Sequence, residues 1–303
     1  VPAPDFRNIW DTTLTRVRHD EEPAAGPDGG NLSEGVGPFT TRLTLRGSGG
    51  AEAVWESRRA RRRGSLTVRR ADGTAPVVHR ADARALARMR TLNAVAAVTF
   101  TLGGLLFAAG AALALTGAAA TAVSATYFGG GLFFNLGGYA SLLQSVNAPR
   151  RPAGAYRLET KAWRWWSYEP MRIDWLSNFL LFAGTLVFGL NLLDSFLQGL
   201  STQQAARLVW APDVIGCVLF LISGQLALAE VCHAPTGVRP HDLGWWIVTV
   251  NMAGSALFMI AALADLVTPG AHVPVSLTIS NIGTLAGALC FAATGVLQWF
   301  EHP

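Results

Sequence analysis

The sequence predicts an all-α transmembrane fold, with six helices arranged as three tandem, parallel two-helix hairpin repeats behind a small, mainly β N-terminal segment. Three observations predict it. Half of the 303 residues are hydrophobic and only 15% are charged, where ordinary soluble domains carry roughly 25% charge. The shortage is local: 16 of the 24 Lys and Arg residues lie at or before Arg90, and only Arg207 and Arg239 follow Arg172. Six apolar runs, 92–115, 123–145, 176–197, 213–232, 244–266 and 277–300, have the length of about 20 residues that a helix needs to cross ~30 Å of hydrocarbon.

The N-terminal part comes first. Residues 1–39 are rich in Pro, Gly, Asp and Glu without a hydrophobic period, and read as a disordered tail. Residues 40–91 read as a small cytoplasmic domain. Thr40–Leu45 alternates polar and apolar like a half-buried strand, Gly47-Ser48-Gly49-Gly50 signals a turn, and Ala53–Trp55 and Ser65–Val68 suggest further strands. Asp82 is a candidate N-cap for a helix running through Arg90 into the first span. About 50 residues is little for an independent core, so this segment is expected to lean on the membrane or a partner.

The repeats follow as 92–148, 175–233 and 234–303, with a basic and aromatic cytoplasmic connection at 149–174. Their markers keep their spacing. The first has Gly103-x3-Phe107, then Gly130-x3-Phe134-x3-Gly138-x5-Gln144. The second has Gly184-x3-Phe188, then Gly216-x3-Phe220-x3-Gly224-x5-Glu230. The third has Gly254-x3-Phe258, then Gly287-x3-Phe291-x3-Gly295-x5-Glu301. Self-similarity at a fixed period is the signature of a repeated unit. Four residues advance a helix face by only ~40°, so the Gly, Phe and Gly of each second helix form one narrow stripe. Small residues in such stripes let membrane helices approach closely. Gly130, Gly138, Gly216, Gly224, Gly287 and Gly295 are therefore expected to pack helices, with a ligand groove as the other reading.

Orientation follows from arginine placement. Arg80, Arg84, Arg88 and Arg90 precede the first span, and Arg150, Arg151, Arg157, Lys161, Arg164 and Arg172 lie between the second and third. Positive-inside logic puts both termini in the cytoplasm. Trp163, Trp165, Trp166, Trp175, Trp245, Trp246 and Trp299 fall where an inner interfacial belt belongs. Parallel copies imply a quasi-threefold axis along the membrane normal and disfavour inverted-repeat transporters.

Ionisable residues in spans are functional candidates. The candidate polar residues of the bundle are Asn178, Asn251, Asp194, Asp265, Glu230 and Glu301. Asp194, Asp213 and Asp265 fall toward the outer face, as a cation-attracting ring or as solvated helix ends. Glu230 and Glu301, with Gln144 as their uncharged counterpart, fall toward the inner face. They suit interfacial salt bridges, to Arg239 or to arginines of the 147–172 connection, or else a proton relay. The run Arg58, Arg59, Arg61, Arg62 and Arg63 is the strongest charge feature. Contact with anionic headgroups is the favoured reading, against a solvated surface or an RNA contact; no nucleic-acid partner is expected. Cys217, Cys232 and Cys290 form no paired framework, and the six histidines have no ligand-like spacing, so no metal or cofactor is implied. Walker, GxSxG and HExxH signatures are missing, and no catalytic residues can be named.

The two-span pattern with G-x3-F in each helix, best seen in Gly184–Phe188 and Gly216–Gly224, resembles the YrhK-like domain family of bacterial membrane proteins. Trp210-Ala211-Pro212-Asp213 and Arg172-Ile173-Asp174-Trp175 look like multi-copy actinobacterial members, and Arg in place of Lys with abundant Ala fits a GC-rich source. The resemblance covers about residues 92–303; the first copy departs from it at Gln144. It implies a multi-pass protein of the bacterial inner membrane, and no established activity or site residues. The expected function is a non-enzymatic structural or interaction role, with lipids, a protein partner or a second copy of the chain as partners. The alternatives are a small-ion or solute transporter or channel using the polar bundle residues, and a membrane-embedded enzyme, for which no catalytic pair is found.

Overall fold

The computed structural model describes residues 32–46, 50–70, 72, 74–150, 158–160, 162–197, 199–266 and 276–301. Residues 1–31 of the tail expected over 1–39, and 47–49 of the turn expected at 47–50, lie outside the described residues. The last part of the expected tail is ordered instead, because strand β1 (Leu32–Val36) pairs with β2 (Phe39–Arg46). Next come β3 (Glu52–Glu56), a short helix α1 (Ser57–Arg63), β4 (Ser65–Arg69) and β5 (Val77–Arg80). The five strands form one antiparallel meander in chain order. Alternation puts Leu45, Ala53 and Leu66 on the inner face, where they join Ala60, Ala81 and Ala85.

The arginine run forms a helix between two strands of this sheet. It stops at Gly64, whose φ of 56° is the left-handed conformation that only glycine adopts freely. The Gly64 N–H donates to the Ala60 carbonyl at 3.0 Å. A side chain at Gly64 would also strike Leu86, 2.6 Å from its Cβ position.

Long helices make up the rest: α2 (Ala83–Leu115), α3 (Ala120–Val146), α4 (Ile173–Asp194), α6 (Ala211–Cys232), α7 (Leu243–Ala264) and α8 (Leu277–Phe300). A four-residue turn, α5 (Thr202–Ala205), and a π-helical stretch over Ala206–Trp210 lead into α6. Pro212 in the first turn lacks the N–H that would close an ordinary helical bond to Leu208, which accounts for the wider winding there. Asp82 caps α2 as expected, accepting from Ala85 N at 2.9 Å.

Among the described residues five helices are long and apolar enough to cross a membrane: Ala83–Leu115, Ile173–Asp194, Gln203–Cys232, Leu243–Ala264 and Leu277–Trp299. They mark the chain as a multi-pass membrane protein. The run at 123–145 is helical as α3 but does not join the five, because five glycines and several hydroxyl and amide side chains dilute its hydropathy. Leu132, Leu136, Leu190, Ile215, Ile260 and Leu289 point outward and exposed, as lipid-facing residues do.

The long helices close into a ring, each touching the next in the order α2, α3, α4, α6, α7, α8 and back to α2. Three of these contacts share one crossing. In α2/α3 a Cβ on Gly103 would lie 3.1 Å from the Gly130 carbonyl; in α4/α6 one on Gly184 would lie 3.3 Å from that of Gly216; in α7/α8 one on Gly254 would lie 3.0 Å from that of Gly287. The alternate contacts use the other stripe glycines: Gly138 against Phe182 and Thr185 of α4, Gly224 against Met252 of α7, and Gly295 against Thr101 of α2. Each of the six stripe glycines thus lies where a neighbouring helix comes close.

Candidate functional site

The bundle centre is aromatic. The rings of Phe107, Phe188 and Phe258 form a triangle with centroids 5.7, 6.1 and 6.1 Å apart. Each also meets its hairpin partner: Phe107 with Phe134 at 5.3 Å, Phe188 with Phe220 at 6.1 Å, Phe258 with Phe291 at 5.2 Å. Six phenylalanines thus pack together at mid-height, a dispersion-dominated apolar layer across the axis.

The polar chemistry sits at the end of the bundle that carries the sheet. Helix α1 presents Arg58, Arg61 and Arg62, at i, i+3 and i+4, to the bundle from one face. All three are buried. Arg58 grips Glu301 with two hydrogen bonds, Nε to Oε1 at 2.9 Å and Nη2 to Oε2 at 2.7 Å, the bidentate geometry that suits guanidinium and carboxylate. Arg61 donates to Glu230 at 2.7 Å, and the Ser57 hydroxyl donates to the other oxygen of Glu230. Arg62 donates at 2.7 Å to Asn93 Oδ1, and Asn93 in turn donates to the Gln298 carbonyl at 3.0 Å. Gly244, at the start of α7, makes room for this: a Cβ there would lie 2.8 Å from Arg58 Nε.

Electrostatics follow the contacts. Burial disfavours the charge of Glu301, but Arg58 and Arg62 outweigh it and hold the carboxyl below its ordinary value. Burial likewise works against Arg58, and Glu301 more than offsets it, so Arg58 is raised. Arg62 goes the other way: burial, then the neighbouring Arg61, push it down to about 9. A second cluster lies beside the first. Arg172 clasps Asp174 with bonds of 3.1 and 2.6 Å and donates to Glu169 at 2.6 Å; Arg150 also donates to Glu169. Burial would raise Glu169, but the two arginines reverse this and hold it at about 2.

This geometry corrects one expectation. Arg58, Arg61 and Arg62 do not face headgroups; they are spent on two buried glutamates and an asparagine. Arg63 is exposed and Arg59 half-buried, and neither has an ion-pair partner among the described residues. Glu230 and Glu301 do form salt bridges, to α1 rather than to Arg239 or the 147–172 connection. The signal was present in the spacing: arginines at i, i+3, i+4 give a one-sided cationic face, and two span-end acids needed partners. Trp175 also departs from the interfacial belt. It is buried and stacks on Phe179 at 4.9 Å, while Trp165, Trp166, Trp246 and Trp299 are exposed.

The remaining candidates divide. Asn178 and Asn251 line a cavity of about 60 Å³ between α1 and the aromatic layer, with Arg61, Arg62, Ser223 and Gln298. Asn178 donates to Ser145 Oγ at 2.8 Å and to the Asp174 carbonyl at 2.6 Å, so it ties α4 to α3. Asp194 and Asp265 lie half-buried at the opposite end, past the phenylalanines. Asp265 lies within electrostatic reach of Asp213. Neither Asp194 nor Asp265 lines the cavity of Asn178 and Asn251. Among the described residues no group of His, Cys, Asp and Glu could hold a metal ion.

Fold and site define a multi-pass membrane protein with a β-meander clamped to one end of its bundle by buried ion pairs. Comparison with known proteins returns no match to this chain, whether among family models, curated proteins or solved structures.

Proposed function

We propose that the chain is a non-enzymatic protein of the bacterial inner membrane whose bundle is a rigid mount for the N-terminal sheet at the cytoplasmic surface. In this reading the bundle is six spans in three parallel hairpin repeats, with α3 as the second span and both termini cytoplasmic. The recurrence of the glycine crossing and of the phenylalanine triangle supports the repeat, and the same motifs carry the likeness to YrhK-like proteins. Arginine enrichment beside α2 and α4 supports the orientation.

One observation carries the functional reading: three arginines of the sheet domain are buried in the mouth of the bundle, where two carboxylates and an amide receive them. Buried charge pairs are weak sources of net stability but impose one geometry on the parts they join. A sheet held this way presents a fixed face to a partner, and Arg59 and Arg63 remain for anionic headgroups.

A gated solute pathway is the second reading, favoured by the cavity under α1 with its arginine and amide groups and opposed by the aromatic layer beyond it. Reconstitution in vesicles separates the two. The mount predicts flux of small ions and neutral solutes equal to that of protein-free vesicles, and a thiol placed at Asn251 that impermeant reagents do not reach. Flux that falls when Asn251→Leu fills the cavity would establish the pathway instead.

A further inference from the structure

The guanidinium groups under α1 outnumber the carboxylates that accept hydrogen bonds from them, although Asp242 also acts on Arg58 across space. Three guanidinium groups, Arg58, Arg61 and Arg62, point into the bundle. Glu230 and Glu301 meet two of them. Asp174 stands 3.8 Å from Arg61 Nε, beyond hydrogen-bond distance, and both its oxygens are already taken by Arg172. Arg62 bonds a neutral amide oxygen, with Glu301 3.8 Å from its Nε. The Nε atoms of Arg61 and Arg62 are buried and have no hydrogen-bond acceptor among the described residues.

Both arginines line the 60 Å³ cavity. Arg58 lines it too; the other walls mix hydroxyl and amide groups, among them Asn178, Asn251, Ser223 and Gln298, with apolar side chains such as Phe100 and Ile247, and no carboxylate lines it. Several of these groups are committed. Ser177 and Ser223 bond each other's carbonyls at 3.0 and 2.8 Å, and Gln298 reaches Asn93 at 3.3 Å. The Asn251 side chain makes no hydrogen bond among the described residues, which leaves its amide as a donor beside the arginines. A water molecule occupies about 10–15 Å³ by the same measure, so there is room for a small ion with one or two waters. Water would satisfy the donors but not the charge.

We propose that this cavity binds a small monovalent inorganic anion of the halide or nitrate class, held by Arg61, Arg62 and the Asn251 amide. Only Arg62 of the three guanidinium groups has no carboxylate within hydrogen-bond distance, which suits a monovalent ion better than a divalent one, and the volume excludes all but the smallest organic acids. The inference concerns the bundle interior and does not depend on whether the protein is a mount.

The test uses the full chain, purified in detergent with sodium gluconate as the only salt. Replacing gluconate by chloride, bromide or nitrate at constant ionic strength should raise the Tm saturably, and crystals grown in bromide should show anomalous density in the cavity. Asn251→Leu should weaken the halide dependence at least about tenfold, the factor expected from losing one charge-assisted contact. Asn251→Asp should abolish it and match, in gluconate, the Tm of the natural chain in saturating halide, because the new carboxylate supplies the missing charge. Equal Tm values in halide and gluconate for the natural chain would overturn the site, as would a halide response that both variants keep.

Discussion

Arg58 and Arg63 sit five positions apart in one short helix and have opposite fates, because one faces Glu301 and the other faces outward. Removing the partner of a buried carboxylate leaves that charge uncompensated, at about 3–5 kcal/mol. Arg58→Gln should lower unfolding stability by that order, measured by denaturant titration in a fixed detergent, while Arg63→Gln should leave the midpoint unmoved. Arg62→Gln should cost less than Arg58→Gln, since Arg62 hydrogen-bonds an amide and stands 3.8 Å from Glu301, where Arg58 grips that carboxylate with two bonds. Acid should act through Glu169 and Glu301. Both are held below their ordinary values, so their contribution is complete above those values and fades as pH falls through the folded ones. For Glu169 that window runs from 4.5 down to about 2. Glu169→Gln should flatten the acid limb of the stability profile there; an unchanged limb would show that Arg150 and Arg172 do not hold this carboxylate charged.

At the scale of elements, most of what was legible in the sequence came from period and spacing. The long helices follow from apolar runs longer than any strand, and the stripe glycines follow from contacts that only a missing side chain permits. The prediction is specific to position. Gly287→Ala places its Cβ 3.0 Å from the Gly254 carbonyl and 2.7 Å from Phe258, and should cost about 1–3 kcal/mol by overpacking. Gly129→Ala, in the same kind of helix, would meet nothing closer than Leu106 at 3.8 Å, and should gain about 0.5–1 kcal/mol from helix propensity. Equal effects in thermal unfolding would refute the packing role. What was not legible was docking. The alternation of Thr40–Leu45 announces a strand, but nothing in it says that the sheet turns its arginine helix into the bundle. A run of arginines before a span reads as lipid contact because a local window cannot see Glu230 and Glu301, more than 160 residues away. Strand β1 escaped for a related reason: Leu32–Val36 acquires its order by pairing with β2 and packing on Ile173 and Ala229.

At the scale of the whole molecule, the last residue of the repeated marker makes the decisive comparison. Gln144, Glu230 and Glu301 hold the same place in their hairpins, and all three are buried. Only the two that α1 reaches with an arginine are acidic; Gln144 instead donates to the Met89 carbonyl at 3.4 Å. The bundle itself therefore accepts an amide at this place, and the two charges belong to the contract with the sheet domain. Removing residues 1–80 should then strand two buried carboxylates and destabilise the bundle by several kcal/mol. Replacing them in the truncated chain, as Glu230→Gln with Glu301→Gln, should recover most of that loss, because each hairpin would end as the first one already does. In the full-length chain the same double replacement should be harmful, since it leaves Arg58 and Arg61 buried without counter-charges. Denaturant midpoints of the four proteins in one detergent read the cycle directly. A truncated chain as stable as the full one, or a double amide that helps both backgrounds alike, would mean that sheet and bundle are not bound through these charges at all.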